Sequence, residues 1–436
     1  MEEGWGDDMI DDADGFLGSL LTIEGIVDAR AMINGPNGCR GYPAYLSDRL
    51  LPRDTCLTRR SFEELFFFGQ SRIPCTYLDA DDYIAGSTAK LSAILPLIAE
   101  KGDTLIAIVN SPGASLIGDD LNRFIRQAGL ARRCIAFEDA WYSKPLPAAS
   151  DETVVALLEW LSLNNLPKVK RGVNLLGLSL YQRYWEGNAR ELIHLCTLMG
   201  LHVICKWTGS PVAEIRESTS ASHNLVIFPE YATKTAAWYE NKFGIPPVIS
   251  PAGAPIGFSA TEVWIRTVAA ALSVDPGLAL DYLNSQKNRA YHIISRSSHE
   301  ASSIRGLTFG IRADISVALP LITWLYSYLN MLPVCIEVGQ GGDEKQHRSL
   351  IRFLEDHTLS SALGVSAESA SPDFYFAEGI FGEHLALSGV CRSYFDLSNR
   401  MYTDLEFIQR ALIGGVGSLM LLEYIFRDHM NGIYSE

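Results

Sequence analysis

The stretch AMINGPNGCRGYPAY, Ala31–Tyr45, decides how the rest of the chain is read. An apolar run, ARAMIN, stops at Asn34. Gly35, Pro36 and Gly38 break the pattern and deliver one thiol, Cys39, with Arg40, Tyr42 and Tyr45 behind it. An apolar run, a glycine–proline turn and the helical stretch PAYLSDRL read as a strand that feeds a helix. In parallel α/β sheets, ligands sit where strand C-termini meet helix N-termini. The turn therefore presents Cys39 where such folds bind things.

The same alternation repeats outward from this stretch. LIAIVN (105–110) precedes SLIGDDLNRFIRQAGL. VNLLGLSL (173–180) precedes GNARELIHLCTLMGL and HVICKW. NLVIFP (224–229) precedes TKTAAWYENKFG and PPVIS, and GLTFGI and VCIEVG flank an apolar helical stretch further on. Continuous apolar strands separated by amphipathic helices signal parallel sheets covered on both faces. A chain of 436 residues is too long for one such sheet. The expected fold is α/β, with three Rossmann-like domains, each a mostly parallel sheet flanked by helices. The domains are expected at 1–165, 166–290 and 291–436, divided near SKPLPAASDET with LPKVKRG and near KNRAYHIISRSSHEASSIRG.

Composition narrows the function classes. Hydrophobic residues make up 47% and charged residues 20%, as in a soluble globular protein. The formal net charge of −15 argues against a nucleic-acid partner, because phosphate backbones are held by Lys and Arg. The acidic start, MEEGWGDDMIDDADGF, lacks the basic and apolar regions of a secretory signal, so a cytoplasmic location is expected. ISVALPLITWLYSYLNMLPVCI (315–336) carries no charge but contains two prolines and several polar residues. It reads as a buried helix to about Asn330, a turn at Pro333 and the strand VCIEV, with no membrane span.

The eight cysteines stand at 39, 56, 75, 134, 196, 205, 335 and 391, without a CxxC pair that would suggest zinc. The turn at Cys39 matches neither a Walker-type phosphate loop nor the glycine fingerprint of dinucleotide binding. Three readings of Cys39 stay open. It could be a nucleophile, for which no histidine stands nearby in sequence. It could be a buried thiol in a tight turn. Or it could be an iron ligand, with glycines letting the backbone approach a bulky inorganic cluster. One cysteine cannot hold such a cluster, so other ligands would come from distant segments or from a partner.

NGPNGCRGY, RIPCTYLDADDYIAGSTAKL (72–91) and IVNSPGASLIGDDL (108–121), in this order and spacing, resemble the first domain of nitrogenase component 1 subunits. GNARELIHLCTLMGLHVICKWTGSPVAEI and NKFGIPPV resemble the second domain. GVCRSYFDLSNRMYTDLEFIQRALIGGVGSLMLLEYIF resembles the end of the third. In that family each half-site offers three cysteines to a cluster at the subunit interface. Cys39 matches one of them. The upstream position falls near Asp14, a possible oxygen ligand harder than thiolate. The third falls in SPGAS, with Ser111 and Ser115 and no thiol. Cys75, in RIPC, is a weaker candidate beside Cys56.

The cysteine and histidine that hold the family's catalytic cofactor fall at Phe228 and near Tyr394, so both are absent. The resemblance thus implies a beta-type subunit of a nitrogenase-like reductase, paired with an alpha-type partner in an α2β2 assembly. It implies an iron–sulfur cluster shared with that partner, P-cluster-like 8Fe-7S or 4Fe-4S. A separate ATP-dependent iron protein would supply the electrons, and the substrate site would lie mainly in the partner. Catalytic residues in this chain stay unknown. The departures from the three-cysteine pattern argue against ordinary dinitrogen reduction, and thioether (methylthio-alkane) reduction is the specific activity expected. Tetrapyrrole or dinitrogen reduction, and a non-catalytic scaffold for cofactor assembly, are the alternatives.

Overall fold

A computed structural model describes residues 13–51, 72–100, 102–139, 141–297, 303–399 and 406–434. Its strands form three sheets, and every pairing within them is parallel. The first, in the order β1-β2-β3, contains β1 (Ala29–Asn34), β2 (Leu105–Asn110) and β3 (Cys134–Phe137). The second, in the order β5-β4-β6-β7, contains β4 (Gly172–Leu176), β5 (His202–Cys205), β6 (His223–Val226) and β7 (Pro247–Ile249). The third, in the order β11-β10-β8-β9, contains β8 (Thr308–Ala313), β9 (Leu332–Val338), β10 (Phe374–Ala377) and β11 (Ser393–Asp396). The fold is α/β, with helices flanking each sheet, as the alternation of runs predicts.

The apolar continuity of β1 and β2 has a direct cause. Successive strand side chains point to opposite faces, and here both faces are covered. Ala31, Ile33, Ala107 and Val109 meet Leu20, Ile23 and Leu157, from the packed helices Gly15–Glu24 and Leu146–Leu161. Met32, Ile106 and Ile108 meet Leu91, Leu95, Leu121 and Phe124, from the helices Thr88–Ala99 and Leu121–Gln127. All six residues of β2 are buried.

The segment 315–336 is a helix, Ile315–Leu329, ended by Asn330 in the left-handed conformation at φ 56°. Pro320 lies inside it and has no N–H for the carbonyl of Ser316. That carbonyl accepts instead from the amide of Ala254, at 2.7 Å, in the loop after β7. The expected turn at Pro333 is corrected: the turn is at Asn330, and Pro333 lies within β9. The strand is at the sheet edge, and its pairing with β8 shifts register opposite Phe309 and Gly310, where a missing donor is tolerated. Among the described residues, no helix is long and apolar enough to cross a membrane.

Candidate metal-ligand site

β1 and β2 end side by side, with Asn34 in register with Asn110. Asn34 Nδ2 donates to Asn110 Oδ1 at 2.9 Å, and Thr76 Oγ1 donates to Asn34 Oδ1 at 3.0 Å. The amide of Gly35 donates to Thr76 Oγ1 at 2.9 Å. The segment 74–76 is itself tied to β1: Ile33 N donates to Pro74 O at 2.9 Å, and Thr76 N donates to Ile33 O at 3.0 Å. Three segments far apart in sequence therefore end at one level.

Gly35 is required by close approach. A side chain there would begin 2.5 Å from Ser111 Oγ. The strand leaves this crossing through Pro36 into a single 3-10 turn, Asn37–Arg40, followed by the helix Gly41–Leu50. By contrast, nothing in the described chain lies within 4 Å of where a side chain on Gly38 or Gly41 would begin. Among the described residues, the glycines on the outer side of the turn thus have no packing reason.

Several of the candidate ligands lie near this turn. Cys39 is half-buried, and its thiol is hydrogen-bonded to the hydroxyl of Ser111. Asp14 lies close enough for its negative charge to act on the same thiol. Burial and the Asp14 carboxylate push the Cys39 thiol up, and the Ser111 hydrogen bond offsets them in part. Cys39 is therefore a protonated thiol at neutral pH, unless a cation displaces the proton. Asp14 is the N-cap of the helix Gly15–Glu24, where Oδ1 accepts from Leu17 N at 2.9 Å. Ser111 is fully buried and follows directly on β2, with its amide bonded to Asn34 O at 2.9 Å.

Cys75 is fully buried beside Cys39. Burial pushes its thiol up, while the amide of Tyr77 and the charge of Arg40 pull the other way. Ser115 is turned elsewhere, with its hydroxyl donating to Pro112 O at 2.7 Å. Cys56 lies outside the described residues. Cys134, Cys196 and Cys205 are buried in the packed interior, and desolvation pushes their thiols up to about 12, about 12 and about 11. They behave as small apolar side chains.

The elements that carry Asp14 and Cys39 are fixed to each other by a carboxylate that sequence reasoning passed over. Glu24 is fully buried at the far end of Asp14's helix. It accepts from Ala31 N at 2.7 Å, from Ser47 Oγ at 2.7 Å and from Arg72 Nε at 2.8 Å. One side chain thereby joins the helix Gly15–Glu24, β1, the helix Gly41–Leu50 and the start of the 72–76 segment. In sequence, Glu24 is only the last residue of an apolar run. Its partners have meaning once the fold brings them in.

A thiol, a carboxylate and a hydroxyl at one turn suit one side of an iron–sulfur group shared with another chain. They are too few to enclose it. Among the described residues, no three His, Cys, Asp or Glu side chains gather into a metal site of their own.

Phe228 and Tyr394, which the resemblance matches to the family's cofactor-holding positions, are both packed. Phe228 is buried, and Tyr394 packs its ring and Cβ against Gly382. The nearby cavity, lined by Phe228, Tyr231, Asp314 and Glu378 among others, has room for about one water molecule.

A sequence model of the family described as nitrogenase component 1 type oxidoreductase matches residues 15–369. The chain is 28% identical over 228 residues to one of the subunits of light-independent protochlorophyllide reductase from Synechococcus sp. (strain RCC307), covering 47% of this chain and 42% of that protein. It is 22% identical over 301 residues to the protein of the same name from Chlorobium luteolum, covering 65% and 55%. The chain thus spans about half the length of the curated relatives it matches. Among solved structures, one described as nitrogenase Cp1 at pH 6.5 superposes with a TM-score of 0.75 at 15% identity, over 96% of this chain and 92% of that one. A second, at pH 5, gives 0.70 at 18% identity. These two superpositions show a shared fold. Both of these curated relatives are named as protochlorophyllide reductase subunits, and neither name speaks of a thioether. With its fold, its glycine–cysteine turn and a match running from residue 15 to 369, this chain belongs to the nitrogenase component 1 type oxidoreductase family.

Proposed function

We propose that this chain is the beta-type subunit of a nitrogenase-like, two-component reductase, and that it lends Cys39 and Asp14 to an iron–sulfur cluster shared with an alpha-type partner. The observation that carries the reading is the Cys39 turn leaving the end of β1 beside Ser111, which follows β2, with the N-cap carboxylate of Asp14 near enough to act on the thiol. Bound there, the cluster supplies a one-electron relay between an ATP-dependent iron protein and the substrate site. Cys39 would hold iron as a thiolate, giving up its proton, and Asp14 would add an oxygen donor. Ser111 holds the sulfur in place through its hydroxyl. Cys75, behind Cys39, is the reserve thiol of the site.

Apolar side chains stand exposed on segments that follow the site residues: Ile84 at 87% in the helix Ala80–Ala85 and Leu116 at 88% in the turn after Ser111, with Tyr45 and Tyr77 beside the basic residues. A subunit interface would cover them. The filled cofactor positions at Phe228 and Tyr394 favour a substrate site mainly in the partner, and they speak against a scaffold role that needs a roomy cleft in this chain.

For the substrate we propose a cyclic tetrapyrrole, supported by the names of the curated relatives. The test is turnover of protochlorophyllide by the anaerobically co-purified complex, given an iron protein, ATP and a low-potential reductant. Loss of the ring double bond, followed by absorbance, is expected. An iron-loaded complex that leaves protochlorophyllide and other cyclic tetrapyrroles unchanged would overturn the substrate assignment.

A further inference from the structure

Arg40, the residue after Cys39, is held in one place by an unusual device. Its Nη1 donates to the hydroxyl of Tyr77 at 2.8 Å, and its guanidinium carbon lies 5.3 Å from the centre of that ring. Tyr77 has a φ of +55°, the left-handed region that a bulky side chain rarely adopts. Both flanking residues are anchored, Thr76 to Ile33 and Leu78 N to Gly35 O at 3.1 Å. Lys90 holds the carbonyl of Tyr77 itself, at 2.6 Å. Lys90 is in turn fixed by Asp79 at 2.8 Å and Asp82 at 2.5 Å, the two residues of the capping box that starts the helix Ala80–Ala85. The strained backbone keeps the ring of Tyr77 outward, where it braces the cation.

Among the described residues no carboxylate pairs with Arg40, and its field reaches the thiol of Cys75. A fold that only needed a filled surface would not spend backbone strain to fix an arginine one residue from its candidate ligand.

We propose that Arg40, positioned by Tyr77, is the cation that sets the reduction potential of the interface cluster. This rests on the cluster reading above. An iron–sulfur cluster gains one electron on reduction, here from the iron-protein donor, and no bond forms or breaks. A fixed positive charge nearby stabilises the reduced state, because net charge and hydrogen bonding set cluster potentials. Arg40 binds no iron; it acts through its charge, and Tyr77 acts through Arg40.

The test compares the co-purified complex carrying wild-type chain, Arg40→Gln, Arg40→Lys and Tyr77→Phe. Iron and sulfide are counted first, and then the cluster is titrated potentiometrically with electron paramagnetic resonance as the readout. Arg40→Gln should keep its iron and shift the oxidised-to-reduced ratio at a fixed potential about tenfold toward oxidised, a midpoint about 59 mV more negative for one electron. Arg40→Lys should restore most of the shift. Tyr77→Phe leaves the charge and the ligands in place but removes the hydroxyl brace, and should move the midpoint the same way by less. It keeps the test open if Arg40→Gln does not assemble. Iron-loaded variants with an unmoved midpoint would overturn the role of Arg40 alone. A wild-type complex without iron would overturn the cluster reading and this assignment with it.

Discussion

Asn34 and Asn110, the last residues of two neighbouring parallel strands, are register partners and are also joined side chain to side chain at 2.9 Å. The pair sets the level at which both strands release their chains, one into the Cys39 turn and the other into Ser111. Both side chains are buried. Asn34→Ala should therefore cost about 1–3 kcal/mol, as expected when buried partners lose a hydrogen bond. Urea unfolding of the complex checks the cost. Iron content should fall with it, because Gly35 and Thr76 lose their common anchor.

Glu24 should be the more sensitive position. Glu24→Ala takes from Arg72 its buried carboxylate partner and from Ala31 N and Ser47 Oγ a shared acceptor. A loss of about 3–5 kcal/mol is expected, the range for breaking one side of a buried ion pair. A change below about 1 kcal/mol in denaturant unfolding would contradict the role of Glu24 as the joint between Asp14's helix and Cys39's helix.

The junction of the second and third sheets should respond to alkali. Glu230 is buried and accepts from Ser316 N at 2.9 Å and Ser316 Oγ at 2.7 Å. Burial raises its carboxyl above the usual range. Burial, then the charges of Glu378 and Glu230, raise Asp314 well above its ordinary value. Arg183 is the nearby cation on the same cavity, and it is paired with Asp396 at 3.1 Å. The folded chain keeps protons that the unfolded chain releases, so this contribution is complete below the ordinary carboxylate range. It is lost as pH rises through the raised folded values. Stability should fall from mildly acid to alkaline pH, and Asp314→Asn should flatten that slope. Parallel pH profiles for wild type and Asp314→Asn would contradict this.

How much of this was legible in the sequence depended on distance along the chain. The β1 turn could be read because its signal is local, an apolar run followed by glycine and proline. Asp14 and Ser111 could be placed only through family resemblance, since nothing at either position marks a ligand. β10 and β11, four residues each, were missed because runs that short fit a strand or a buried helix equally well. The ties Arg40–Tyr77 and Arg72–Glu24, 37 and 48 residues apart, have no sequence signature at all. Pro333 misled because proline usually marks a turn, whereas an edge strand can absorb it.

The partner prediction follows from the exposed apolar groups Ile84, Leu116, Tyr45 and Tyr77. Expressed alone, the chain should be poorly soluble or self-associate, with little iron. Co-expressed with an alpha-type subunit it should form a heteromer. Size-exclusion with mass measurement decides between them, and a stable, iron-loaded, active species of this chain alone would contradict the beta-type assignment.

The most direct measurement is the iron and acid-labile sulfide content of the anaerobically purified complex, with Cys39→Ala set beside Cys196→Ala. Cys196 is fully buried in the packed interior, so its variant should lose about 1–3 kcal/mol of stability and keep its cluster. Cys39→Ala should assemble with its partner but lose most of its iron and all turnover. A Cys39→Ala complex with the full complement of iron and sulfide would contradict the claim that this turn exists to hold a cluster.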